Sequence, residues 1–145
     1  MLRRSVLLTT AAALFAAVPR RAASAQPAGG TVRNRLVMQV TDAEPARWIL
    51  ALSNARNVQS DLGRGNVDIE IVVYGPGIEM LKLESVVGPN VAEALAAGVH
   101  ITACENTMIG QHITRDDMLP AIGYVKAGVV RLMHRQQEGY AYVRP

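Results

Sequence analysis

The chain has 145 residues, half of them hydrophobic and 19% charged, a balance that excludes a disordered tail and leaves room for one folded domain. Its formal charge of +3 and pI near 9.4 invite an anionic partner, but four of the fifteen basic residues (Arg3, Arg4, Arg20, Arg21) sit in the first 25 positions, where no acid falls. The other 120 residues carry eleven Lys and Arg against twelve Asp and Glu, a net −1, so composition gives no argument for nucleic acid as a ligand.

Residues 1–25 have the three parts of a cleavable export signal: basic Arg3-Arg4, an apolar stretch over 6–18, and the small triplet Ala23-Ser24-Ala25 before Gln26. A helix over 6–18 would rise only about 20 Å against a hydrocarbon layer of about 30 Å, which argues against a stable membrane span. The paired arginines and Arg20-Arg21 resemble a twin-arginine leader, although Val6 stands where a Phe is expected. General secretory export is the alternative. Either route predicts a mature chain that starts at Gln26 in an extracytoplasmic, periplasmic setting.

Residues 26–34 read as a Pro/Gly/Ala linker, and the folded domain is expected over 35–145. The apolar run 36–40 reads as a buried strand. Positions 48, 52, 55, 58 and 62 recur at helical spacing between Pro45 and Gly63, which predicts a helix over 45–62. A second strand over 67–74 alternates at Asp68 and Glu70 and then becomes continuously apolar, as in a sheet covered on both faces.

Gly75-Pro76-Gly77 breaks the chain before a helical segment over 78–83, and another helix is predicted over 89–97, ending at Gly98. Strand three spans 99–104, with a helical turn over 107–110 and a cap at Asn106 or Thr107. Thr114-Arg115-Asp116-Asp117 has capping-box spacing for a turn that Pro120 stops. A strand over 122–125, a helix over 127–138 and a strand over 140–143 complete the order. Strict alternation predicts a three-layer, doubly wound α/β domain with a mainly parallel five-stranded sheet.

Such sheets collect their chemistry at the carboxyl ends of the strands. That leaves three loops: 41–44, 75–77 and 104–107. The chain has one cysteine, Cys104, so no internal disulfide and no C-x-x-C pair can form. A thiol at a strand end before a helix meets free backbone N–H groups that stabilise thiolate, whereas Glu105 beside it opposes ionisation. An inert buried thiol is the competing reading.

His100 shares a strand with Cys104 at about 13 Å and cannot serve as its base. His134 reads as a solvated side chain among Arg131, Arg135 and Glu138, and His112 either folds back over the thiol or sits on a surface loop. Met80, Met108, Met118 and Met133 lack clustered spacing and read as core filler, so neither metal nor cofactor is expected.

Five segments in order, Tyr74-Gly75-Pro76-Gly77-Ile78, Ala103-Cys104-Glu105-Asn106-Thr107-Met108, Asp117-Met118-Leu119-Pro120, Ala127-Gly128-Val129-Val130 and Gln137-Glu138-Gly139-Tyr140-Ala141-Tyr142, resemble the DsrE family of sulfur-relay proteins in its exported single-domain branch. The resemblance runs from about Leu36 to the C-terminus. It implies subunits that assemble into trimers or hexamers and a cysteine that carries a persulfide between a sulfur donor and an acceptor thiol, or small sulfur compounds; Cys104 matches that position.

The expected site is therefore Cys104 as the reactive residue, with Gly75, Pro76, Gly77, Glu105, Asn106 and Thr107 around the bound sulfur. The other class of function is a non-catalytic oligomeric module that binds a small ligand or partner and uses Cys104 only for packing.

Overall fold

The computed structural model describes residues 34–145; the export-signal reading and nearly all of the linker lie outside the described residues. Five strands, β1 (Asn34–Val40), β2 (Val67–Val73), β3 (His100–Cys104), β4 (Gly123–Val125) and β5 (Ala141–Val143), form one sheet in the order β4-β3-β2-β1-β5. Every pairing between them is parallel. The helices are α1 (Pro45–Leu62), α2 (Gly88–Ala96), α3 (Glu105–Gly110) and α4 (Gly128–Gln137).

Right-handed crossovers explain the layering. The chain steps from β1 to β3 in one direction, so α1 and α2 pack on one face. It returns from β4 to β5 in the other direction, so α4 lies on the opposite face. The register Val40↔Val73 and Val73↔Ala103 aligns the carboxyl ends of the three central strands.

Alternation within the strands divides the core. Leu36, Met38, Val40, Ile69, Ile71, Val73, Ile101 and Ala103 join Trp48, Leu52 and Val91 in the large cluster under α1 and α2. Val37 and Val72 meet Leu132 and Tyr140 in a smaller cluster under α4. Each fully buried aliphatic side chain contributes about 1.5–3 kcal/mol, so the α1/α2 face carries most of the packing energy.

The sequence reading is corrected at several points. The 75–77 segment begins a 3-10 helix, Gly75–Leu81, where the sequence placed a helix over 78–83. Thr114 and Asp117 form the expected capping box, but it closes only a 3-10 turn at Arg115–Asp117. Met80, Met108 and Met118 are core residues; Met133 is exposed. Glu70, in the alternating part of β2, is fully buried, as a sheet covered on both faces requires.

The apolar segment 99–103 is covered within the subunit: Val99, Ile101 and Ala103 are buried, as is Val87, while Val86 is exposed. Among the described residues, α4 and β5 carry five exposed apolar side chains, Val129, Val130, Met133, Tyr142 and Val143, and others lie open on α1 (Ile49, Leu50, Leu62) and at Leu83, Val86 and Ile109.

Candidate functional site

The helix after β3 starts earlier than the sequence suggests. Glu105, Asn106 and Thr107 are all helical, so Cys104 is itself the N-cap of α3, with φ −84° and ψ 114°. A carboxylate in the first turn favours this start. The sulfur-bearing side chain thus stands at the position from which a cap normally meets the free amides of the first turn.

Cys104 is 5% exposed, and its thiol donates to the Lys126 carbonyl at 3.7 Å. Burial pushes its pKa up, but the nearby Gly128 amide, Thr107 hydroxyl and amides of Thr107 and Asn106 together hold the thiol below its ordinary value. The sulfur makes no cap bond to α3, and the Asn106 amide donates to the Lys126 carbonyl at 3.1 Å. Gly128 is the first residue of α4. The starts of α3 and α4 thus lie near one sulfur atom, an arrangement suited to holding an anion.

The expected neighbours take distinct places. The Thr107 hydroxyl oxygen accepts the Gly75 amide at 3.0 Å, which ties the 75–77 turn to the cysteine loop. Gly75 has φ 57°, a conformation that glycine adopts without strain. The close approach of Gly77 is to β1: a Cβ there would lie 2.8 Å from the Val40 carbonyl oxygen. Pro76 and Asn106 are exposed.

Glu105 turns away to Arg115 at 2.6 Å, and Arg115 stacks over Tyr124 at 4.2 Å. Its charge, which the sequence sets against thiolate formation, is thereby matched by a cation. The third loop, 41–44, serves structure: the Trp48 indole N–H donates to the Asp42 carbonyl at 2.7 Å, and the Gly77 amide donates to the Thr41 carbonyl at 3.0 Å.

All three histidines are exposed. His100 is 3.7 Å from Asp68, and His112 takes a left-handed φ of 57°.

Sequence reasoning missed two groups at the site, Tyr74 and Gly128. Continuing the Val73↔Ala103 register sets Tyr74 beside Cys104, and a Cβ on Gly128 would fall 2.8 Å from Tyr74 Cδ1. Burial, with Tyr142 and Cys104 nearby, raises the Tyr74 phenol pKa despite Arg144. Both residues stand in segments that carry the family resemblance, which was the available signal. Replacing Thr107 by Val should raise the pH at which Cys104 alkylates, because the hydroxyl donor to the thiolate is lost. Iodoacetamide rates across pH measure this.

A DsrE/DsrF-like family model matches residues 35–145. The chain belongs to the DsrE/DsrF-like family. Membership suggests a role related to sulfur relay.

Among solved structures, this family member is similar to a protein of unknown function, MTH1491, from Methanobacterium thermoautotrophicum, with 36% identity and a TM-score of 0.74 over 77% of this chain and 99% of that one. A conserved protein of unknown function, BT1422, from Bacteroides thetaiotaomicron shares the fold at 17% identity and a TM-score of 0.64, over 77% of this chain and 95% of that one. No curated protein matches the sequence. The five-stranded all-parallel sheet with helices on both sides agrees with these DsrE-like structures.

Proposed function

We propose that this DsrE-like chain is an exported, periplasmic sulfur carrier whose Cys104 accepts and passes on sulfane sulfur. The observation that carries the reading is the place of Cys104, at the N-cap of α3 with its thiol on the Lys126 carbonyl two residues before α4 starts; the polar groups of Thr107, Asn106 and Gly128 nearby favour an anion there. The Cys104 thiolate attacks the outer sulfur of a donor persulfide, the donor S–S bond breaks, and the donor leaves as thiolate. An acceptor thiolate then attacks the outer sulfur of Cys104–S–SH and regenerates the Cys104 thiolate, with no net oxidation or reduction. Cys104 is 5% exposed, so only a small or extended donor can be the partner of this step.

Transfer is tested by supplying polysulfide and a small acceptor thiol to the mature protein. Turnover that is lost in Cys104→Ser supports the reading; turnover that survives it rejects the reading. The near-complete burial of Cys104 and the bond of its thiol to Lys126 favour the second reading, a non-catalytic binding module in which the cysteine packs.

Assembly into a trimer or hexamer is part of the proposal, through the exposed apolar side chains of α4 and β5. Light scattering should give a multiple of the subunit mass, and Met133→Glu should shift it toward the monomer. A wild type that is monomeric at micromolar concentration contradicts this. Sequencing the native N-terminus checks export: Gln26 is expected, and an intact Met1 refutes it.

A further inference from the structure

Apart from the cysteine site, the described residues contain a groove of about 860 Å³ at the β3–β4 edge of the sheet, lined by α2 on one side and by α4 on the other. It exists because β4 is only three residues long. β4 pairs with Thr102, Ala103 and Cys104 and leaves His100 and Ile101 without an outer neighbour. One wall is apolar, built by Val91, Leu95, Ile101, Leu119 and Ile122.

The other end holds Arg131 and Arg135. The Arg131 Nε donates to both Glu70 oxygens, at 2.9 and 3.1 Å, and Glu70 also accepts the Thr102 hydroxyl at 2.8 Å and Arg135. Arg131 is therefore held side-on. Its two terminal nitrogens make no hydrogen bond or ion pair among the described residues. Of its neighbours, Arg135 also binds Glu138 at 2.7 Å, and His100 stands 3.7 Å from Asp68.

A fixed guanidinium with a free end-on fork fits a carboxylate in bidentate fashion. A dianion would meet Glu70 just behind the guanidinium, so a single negative charge fits better. Beyond the fork the lining is apolar, and the volume lies within the range of small-molecule sites. We propose that this groove binds an amphiphile with one carboxylate, the headgroup on the Arg131 fork and the apolar body along Val91, Leu95 and Ile122. This stands independently of the sulfur chemistry.

Decanoate and decanol, titrated calorimetrically into the mature protein, test it. Ala92 and Ala96 are exposed residues of α2 that line the groove, so Ala92→Trp or Ala96→Trp fills it without disturbing the core. Decanoate should bind once per subunit and be blocked by either Trp. Arg131→Gln, or Arg131→Lys if the former melts early, should weaken decanoate by roughly ten-fold or more relative to decanol.

Absence of decanoate binding, binding that survives both Trp variants, or an unchanged decanoate-to-decanol ratio overturns the proposal. A Trp variant that lowers the particle mass in light scattering, in a protein that does not take up decanoate, assigns the groove to a subunit contact and also overturns it.

Discussion

Replacing Glu70 by Gln should destabilise the protein by about 3–5 kcal/mol, because Arg131 then loses its one carboxylate partner among the described residues and Arg135 keeps only the exposed Glu138. For a domain of this size that is a fall in melting temperature on the order of 10–20 °C. Glu70 is fully buried and is gripped by Arg131, Arg135 and Thr102. Glu138→Gln, which removes an exposed partner of Arg135, should cost under about 1 kcal/mol.

The pH dependence has a definite sign. Burial alone would raise the Glu70 pKa, but the hydrogen bonds from Arg131, Arg135 and Thr102 hold it below its ordinary value of 4.5. The stabilisation is complete above that value and is lost as the pH falls through the folded-state pKa. Melting curves should therefore show wild type losing stability on acidification below about pH 4.5 more steeply than Glu70→Gln. Equal slopes would count against this account of the cluster.

The second large effect concerns the thiol. Iodoacetamide should modify Cys104 in the folded protein with a pH midpoint below that of an ordinary thiol, since the donors from α3, α4 and Thr107 outweigh burial. In denaturant the midpoint should return to about 8.5. Cys104→Ser should abolish modification while leaving the melting curve close to wild type, because the volume is nearly kept. Reaction only under unfolding conditions would place Cys104 in the core as packing.

Much of the fold is written in local signals. Pro45 and Gly63 frame α1 at the bounds their chemistry implies, and the alternation of strands and helices fixes a parallel sheet. The position of Cys104 at a strand end follows from the same reading.

Glu70 was hidden because its partners lie 61 and 65 residues away. Asp68 and Glu70 alternate with Ile69 and Ile71 as on a half-solvated strand, and only α4 laid across that face reverses the meaning. The i,i+4 spacing of Arg131 and Arg135 was the available clue, since it points both guanidiniums the same way. The start of α3 was misplaced for a different reason: Asn106 and Thr107 are better caps than Cys104 by propensity, and the strand that ends at Cys104 decides the matter. Likewise, only tertiary packing covers the apolar segment 99–103: Val99, Ile101 and Ala103 join Val91 and Ala94 of α2 in the large core.

The central claim, that Cys104 carries sulfane sulfur, is tested most directly by intact-mass spectrometry of the mature protein after incubation with polysulfide and removal of the excess. A single adduct of about 32 Da, present in wild type, released by an acceptor thiol and missing from Cys104→Ser, is the predicted result. A wild-type mass that does not change, or an adduct that persists in Cys104→Ser, contradicts the account.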